Sequence, residues 1–470
     1  MPTLRLPLES QLFVAVTAAL GTLFAVYVTL TKSPTFGVGL PLALLWFLTL
    51  VTAFLVWPHW AVALTIPYFA LVPAAKIFVT PWIGATKDVV SLSAVVAAVL
   101  LVIADHRRFR ADPTAMYAMG LLIVLYVVSV GGGHGVAWLQ GVRLACLPML
   151  MLFAGMTLVN PQRTLRWAVG SFAVTGCVIG AYGVLQQYLG VWRLHDLGYT
   201  YNVQLRTYHG ILRSFGTLDD PFAYAAFELM ALAAVVFWMR RGTTRLIIAT
   251  IIGAGIASSL VRSAALVSVG LFALWLARRG QTTVAALFVV ALVASGVVFV
   301  LSASGTETHS YQADSSGSVV TLNGRVSAWK AALGPPSAWP LGQGVGTVGT
   351  AAQRAAYSFT PAGGSGAASS SSSATAVDSG YLAVIADVGF MGLAVFAVLL
   401  GRLWWLGRRA SRAHVRGAWM ALAVLVVMLI DASTRSSFTG FPTATLEFLM
   451  IGISLAAARD GLERGEHEPR

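Results

Sequence analysis

The stretch Arg245-Leu-Ile-Ile-Ala-Thr-Ile-Ile-Gly-Ala-Gly-Ile-Ala-Ser-Ser-Leu-Val-Arg262-Ser-Ala-Ala-Leu-Val-Ser-Val-Gly-Leu-Phe-Ala-Leu-Trp-Leu-Ala-Arg278 holds two uncharged arms, 246–261 and 263–277, strung between arginines. At about 1.5 Å rise per helical residue each arm reaches roughly 24 Å, a little short of the ~30 Å hydrocarbon core of a bilayer. The stretch therefore reads as a helical hairpin in a membrane, with both ends at one surface and Arg262 sunk slightly below the other. A guanidinium at that depth needs an anion or a water-filled cavity. Ser258, Ser259 and Ser263 are placed to satisfy the backbone at the apex.

The rest of the chain repeats this pattern. Of 470 residues 57% are hydrophobic and only 10% charged, with a mean hydropathy of +0.78, where soluble domains carry about a quarter charged residues. A soluble protein is excluded. Apolar runs between charged or Pro/Gly breaks predict fourteen spans in a single integral membrane domain covering 1–470: 11–30, 38–56, 60–79, 88–104, 115–130, 136–158, 167–189, 221–239, 245–261, 264–278, 283–302, 379–400, 417–432 and 443–458. An even number puts both termini on one side. The first run lacks a small-residue cleavage site and reads as an uncleaved span.

The net charge of +13 would suggest nucleic acid in a soluble chain, but here the basic residues sit mainly in short loops between spans. With the N-terminus cytoplasmic, clusters such as Arg107-Arg108, Arg240-Arg241, Arg278-Arg279, Arg408-Arg409 and Arg459 all fall on the cytoplasmic side, as the positive-inside bias requires. Two external segments are long: a loop at 190–220, and one at 303–377 whose Ser/Gly stretch 363–374 reads as a flexible tether. Cys146 and Cys177 lie inside apolar runs and offer no disulfide framework. No repeat suggests the inverted halves of a transporter.

Some charges are left that topology does not explain: Lys32, Lys76, Lys87, Arg143, Arg193, Arg206, Arg213, Arg262, Arg325, Lys330, Arg354 and Arg435 lie on the external side or in spans. Snorkelling accounts for any one of them. As a set they suggest an anionic ligand, for which a bilayer offers phospholipid or polyprenyl-phosphate headgroups. Asp219 or Asp220 caps the helix opened by Pro221. His195 and His209, fourteen residues apart in a loop, do not make a metal pair. The glycines of Leu341-Gly-Gln-Gly-Val-Gly346 lack a preceding strand and the GxGxxG spacing, so they are not a nucleotide site. Glu228, Asp387, Asp431 and Glu447 are acids inside spans that can pair with Arg143 or Arg435.

Four motifs then fall in order: Arg213-Ser-Phe-Gly-Thr-Leu-Asp-Asp-Pro-Phe-Ala223; Ser258-Ser-Leu-Val-Arg-Ser263; Gly324-Arg-Val-Ser-Ala-Trp329 with Leu341-Gly-Gln-Gly-Val-Gly346; and Asp378-Ser-Gly-Tyr-Leu382 with Asp387-Val-Gly-Phe-Met-Gly392. In order and spacing they resemble the bacterial O-antigen ligase and polymerase family over roughly residues 165–455. The resemblance implies an all-α, polytopic, GT-C-like glycosyltransferase of the bacterial inner membrane with its active site on the periplasmic face. It would use undecaprenyl-diphosphate-linked oligosaccharides without nucleotide sugar, cofactor or metal, with a chain-length regulator protein as a candidate partner and no nucleic acid.

By that likeness Arg213, Arg262 and Arg325 hold the diphosphate leaving group, and Asp378 is the catalytic carboxylate on the acceptor side. Arg206, His209, Trp329, Lys330 and Tyr381 are the expected substrate-binding residues. Ligases of the family carry a His-Asn pair where this chain has Asp378-Ser379. That departure favours the polymerase branch and leaves His209 or His195 as alternative bases. A ligase passing the finished glycan to a lipid or protein acceptor is the nearest rival, and a secondary transporter or lipid-linked sugar flippase is the rival from another class.

Overall fold

The structure is a computed structural model that describes residues 34–79, 83–105, 112–129, 135–200, 204–208, 210–239, 242–281, 283–284, 286, 329–330, 332–347, 379–415 and 417–465. Among these, twelve α-helices carry the fold: α1 Pro34–Val56, α2 Pro58–Phe78, α3 Ile83–Ala104, α4 Pro113–Val128, α5 Gly135–Thr157, α6 Pro161–Asp196, α7 Pro221–Trp238, α8 Thr243–Ser258, α9 Arg262–Arg278, α10 Gly380–Arg412, α11 Ala418–Asp431 and α12 Thr443–Arg464. They coincide with twelve of the fourteen predicted spans. The span at 11–30 and nearly all of that at 283–302 lie outside the described residues, as do the tether at 363–374, Arg325, Asp378 and His209.

Six helices are long and apolar enough to cross a membrane, namely α2, α3, α5, α6, α7 and α10, and α1, α4, α8 and α11 hold shorter apolar stretches. Their outward faces are apolar too. Tyr117 is 80% exposed and Val174 and Val178 64%, a surface suited to lipid and not to water. Inside, α7 and α12 are buried along most of their length. The α5–α12 pair packs backbone to backbone, because a Cβ on Gly452 would lie 2.4 Å from the Leu152 carbonyl oxygen and one on Gly155 2.5 Å from that of Leu449. Small residues permit such close helix contact where no hydrophobic effect drives it.

The central helix α7 sets the axis of the site. At one end the Arg245 and Arg278 guanidiniums donate to the Val236 and Phe237 carbonyls at 3.0 and 2.8 Å, covering its last, otherwise unsatisfied acceptors. At the other end Asp220 caps it, its Oδ1 accepting from the Phe222 and Ala223 N–H groups at 2.8 Å each. Eighteen residues lie between these ends, about 27 Å of helix.

Two expectations about the loops change. The segment 190–220 is not an open loop from its start: Gly190, at φ 73°, breaks α6, but the chain resumes the helix as far as Asp196. Only after that do Arg206–Tyr208 (β1) and Ile211–Arg213 (β2) form a short antiparallel hairpin. The described part of the 303–377 segment, at 332–347, folds back onto α10. There Gly389, at φ 72°, interrupts the helix. The Phe390 and Met391 N–H groups, left without helical acceptors, donate to the Trp339 and Pro340 carbonyls at 2.8 and 3.2 Å, and the Gln343 N–H reaches the Ala386 carbonyl at 2.7 Å. Non-helical backbone inside a membrane domain is tolerated where protein satisfies it in this way. The glycines of 341–346 thus serve close backbone approach, since a Cβ on Gly342 would lie 2.7 Å from the Asp387–Gly389 backbone.

Candidate functional site

Arginines on three segments converge beside the start of α7. The hairpin is fastened first. Gln187 of α6 donates through Nε2 to Ser214 Oγ at 2.7 Å and to the Leu212 carbonyl at 2.8 Å, and the Ser214 N–H donates to the Ser258 carbonyl at 3.0 Å. Gln186, wholly buried, accepts the Phe215 and Gly216 N–H groups through Oε1. These bonds fix the strand bearing Arg213 against the corner between α8 and α9.

That corner is built as the arm lengths require. The chain turns between Ser258 and Arg262, with Leu260 at φ 51°, and Ser259 Oγ accepts the Val261 N–H at 3.3 Å. Arg262 opens α9 at the apex. It donates through Nη2 to the Tyr208 hydroxyl at 2.7 Å and lies 5.4 Å from that ring's centroid, so hairpin and corner are also joined through their side chains. Arg213 donates through Nε to the Ser259 carbonyl at 3.4 Å and stacks 4.7 Å over Phe222.

Arg206 is the register partner of Arg213 across the hairpin. Like charges directly opposite one another destabilise a strand pair. Burial, and after it the Arg206 charge, draw the Arg213 guanidinium below its ordinary range; Asp220 opposes this and Arg262 adds to it. Three cations therefore share one field, the arrangement expected where an anion binds.

A second charge group is buried. Arg435 pairs with Asp431 at 3.2 Å and donates to Thr443 Oγ1 at 2.5 Å. Asp431 is 2% exposed and Glu447 wholly buried. The Asp220 charge acts on Asp431 and Arg435 as well as on Arg213, so it is within electrostatic reach of both groups. Next to Asp431, the Ala432 carbonyl accepts from Gly380 N–H at 2.8 Å and from Ser379 Oγ at 3.3 Å, which seats the mouth of α10 against this second group.

Of the remaining expected site residues, the three that are described lie near that mouth. Tyr381 packs edge-on against Phe438 and its hydroxyl donates to the Leu429 carbonyl at 2.7 Å. Trp329 and exposed Lys330 precede Ala332, which is buried against Ala386, Leu382 and Ala383. The structure thus brings Arg206, Arg213 and Arg262 together, and Tyr381, Trp329 and Lys330 into a separate neighbourhood near the first turns of α10.

Of the other unexplained cations, Lys76 pairs with Asp219 at 2.9 Å and Arg143 with Asp88 at 3.3 Å. The choice between Asp219 and Asp220 as cap is settled in favour of Asp220. Sequence reasoning left out Asp220 as a member of the site and Arg435 as its neighbour. The Asp431/Arg435 spacing of i,i+4 was the available signal for the pair. No protein-family model matches the chain, and no curated protein does.

Proposed function

We propose that the chain is a membrane glycosyltransferase that polymerises undecaprenyl-diphosphate-linked oligosaccharide repeat units of a surface polysaccharide. The observation that carries this reading is the meeting of Arg206, Arg213 and Arg262 at the hairpin and the α8–α9 corner. Phosphate recognition by several preset guanidiniums fits a lipid diphosphate. As the anomeric C–O bond breaks, charge collects on the departing diphosphate, and cations already in place stabilise it without reorganisation. An acceptor hydroxyl on a second lipid-linked unit attacks the anomeric carbon and gives up its proton to a base. Arg325 joins the cations, and Asp378, one residue before Ser379, serves the acceptor side.

The same reading takes the helices as a fourteen-span, GT-C-like array in the bacterial inner membrane, with the hairpin on the periplasmic face. Lipid-linked oligosaccharides are the substrates and a chain-length regulator the further partner. Transport is the second reading, favoured by Glu228, which is wholly buried with neither carboxylate oxygen hydrogen-bonded among the described residues.

The test is Arg213→Lys and Arg262→Lys in a cell lacking its own copy of the gene, with the polysaccharide resolved by gel as a ladder. Lys keeps the charge and loses the planar fork. Ladder intensity should fall by at least tenfold at normal protein abundance. A ladder within a few-fold of wild type for both variants would return these residues to simple snorkelling.

A further inference from the structure

We infer that Asp220 is the proton acceptor of the transfer proposed above, on which this assignment rests. The sequence marks Asp220 only as a helix cap, and the structure confirms the cap, yet the cap engages one oxygen. Oδ1 accepts both backbone N–H groups at 2.8 Å. Among the described residues Oδ2 receives no hydrogen bond, and Asp220 is half-buried, not sealed in. The two backbone bonds fix the carboxyl plane, so Oδ2 is held in one direction, as a positioned base requires.

Its neighbours fit the task. A base for this chemistry must stand close to where the leaving diphosphate is held without being consumed by the cations that hold it. Asp220 is the carboxylate whose charge reaches both Arg213 and Arg435. Arg435 is already engaged by Asp431 and Thr443, and Arg213 by the Ser259 carbonyl and the Phe222 ring. The adjacent acid cannot substitute: Asp219 is committed to Lys76 at 2.9 Å. Glu447, within electrostatic reach of Arg435, is wholly buried with both oxygens lacking hydrogen bonds among the described residues.

The step balances. The acceptor O–H bond breaks and its proton goes to Asp220 Oδ2. The oxygen forms the new glycosidic bond to the anomeric carbon. The bond from that carbon to the diphosphate oxygen breaks with its electron pair, and the diphosphate leaves against Arg206, Arg213 and Arg262. Asp378 then has the work of orienting the acceptor.

Asn and Ser cap helices about as well as Asp, but neither takes up a proton here. Asp220→Asn and Asp220→Ser are therefore compared with wild type as purified full-length protein. Binding is measured with undecaprenyl diphosphate, and turnover with lipid-linked oligosaccharides extracted from the native host. Both variants should bind undecaprenyl diphosphate within about threefold of wild type while kcat falls by about 100-fold or more, the usual scale for losing a general base.

Turnover within tenfold of wild type in either capping variant overturns the assignment, as does a loss of binding that accounts for the whole loss of rate. Abolished transfer in Asp378→Asn beside an active Asp220→Asn moves the base to α10. Wild-type protein that neither binds undecaprenyl diphosphate nor elongates glycan removes the glycosyltransferase reading itself, a result distinct from wild-type transfer that survives Asp220→Asn.

Discussion

Replacing Arg206 with Gln should move stability and ligand binding in opposite directions, which a structural arginine would not do. Arg206 faces Arg213 across the hairpin, and its charge is the largest influence after burial drawing the Arg213 guanidinium down. Opposed like charges on paired strands cost roughly 0.2–1 kcal/mol. Because Arg206 is exposed, screening keeps the cost at the low end, so the ligand-free protein should gain about 0.3 kcal/mol in the variant. That gain should vanish in about 1 M salt, where the Debye length is near 3 Å. With ligand the sign reverses. If Arg206 gives the diphosphate one charge-assisted hydrogen bond worth about 1.5–3 kcal/mol, its loss weakens binding roughly 10- to 150-fold. The assay is thermal unfolding of detergent-solubilised protein across a titration of undecaprenyl diphosphate, at low and high salt. A variant less stable without ligand and equal to wild type in affinity would refute the reasoning and make Arg206 part of the scaffold.

Two further outcomes test the frame around the site. Gly452→Leu should lower the unfolding temperature and the yield of folded protein, because its Cβ would lie 2.4 Å from the Leu152 carbonyl oxygen and the helices can relieve that only by parting, at about 1–3 kcal/mol or more; an unfolding temperature equal to wild type would show that α5 and α12 have room to spare. Asp112 accepts the Ala115 N–H at 3.0 Å as cap of α4 and meets Arg402 at 2.9 and 2.7 Å through its two oxygens. Its hydrogen bond to Arg402 holds its carboxyl below the ordinary range, so its stabilisation is present above the unfolded carboxylate value near 4 and is lost as pH falls through the lower folded value. Asp112→Ala should cost about 1 kcal/mol for the cap alone, and the difference in melting from wild type should shrink below about pH 4. A difference that does not change with pH would detach the carboxylate's charge from stability.

Apolar length was enough to place the helices, since twelve predicted spans coincide in position with α1 to α12. The turn expected at Arg262 is present as the α8–α9 corner. Where the sequence falls short, one residue changes the backbone without changing composition. Gly190 and Gly389 each break a helix that then resumes, and a glycine in an apolar run looks the same whether it is packed against a neighbour or bent. The hairpin was equally hidden, because three-residue strands leave no alternation to detect. For the site, Arg206, Arg213 and Arg262 were legible as charges the topology bias disfavours. Their meeting was not, because it depends on Gln186, Gln187 and Ser214, polar residues whose partners are backbone atoms of another segment.

What distinguishes the hairpin end of α7 is how its cations are held. At the opposite end of the bundle Arg402 grips a carboxylate with both arms of its fork, and Arg459 and Arg464 pair with Glu463 and Asp460 one turn away. In these three pairs the positive charge is cancelled where it is fixed, while Arg245 and Arg278 at the same end donate to carbonyls. Arg213 is fixed by a neutral carbonyl and the face of a ring, and the hydroxyl of Tyr208 steadies Arg262. The carbonyl and the ring that hold Arg213 are neutral, and Arg206 opposite adds positive charge that the Asp220 carboxylate opposes. A fold that needed only stability would separate such groups. Holding them together with six hydrogen bonds through Gln186, Gln187, Ser214 and Ser259 fits the diphosphate site proposed above, because such a ligand would bring the negative charge that balances them.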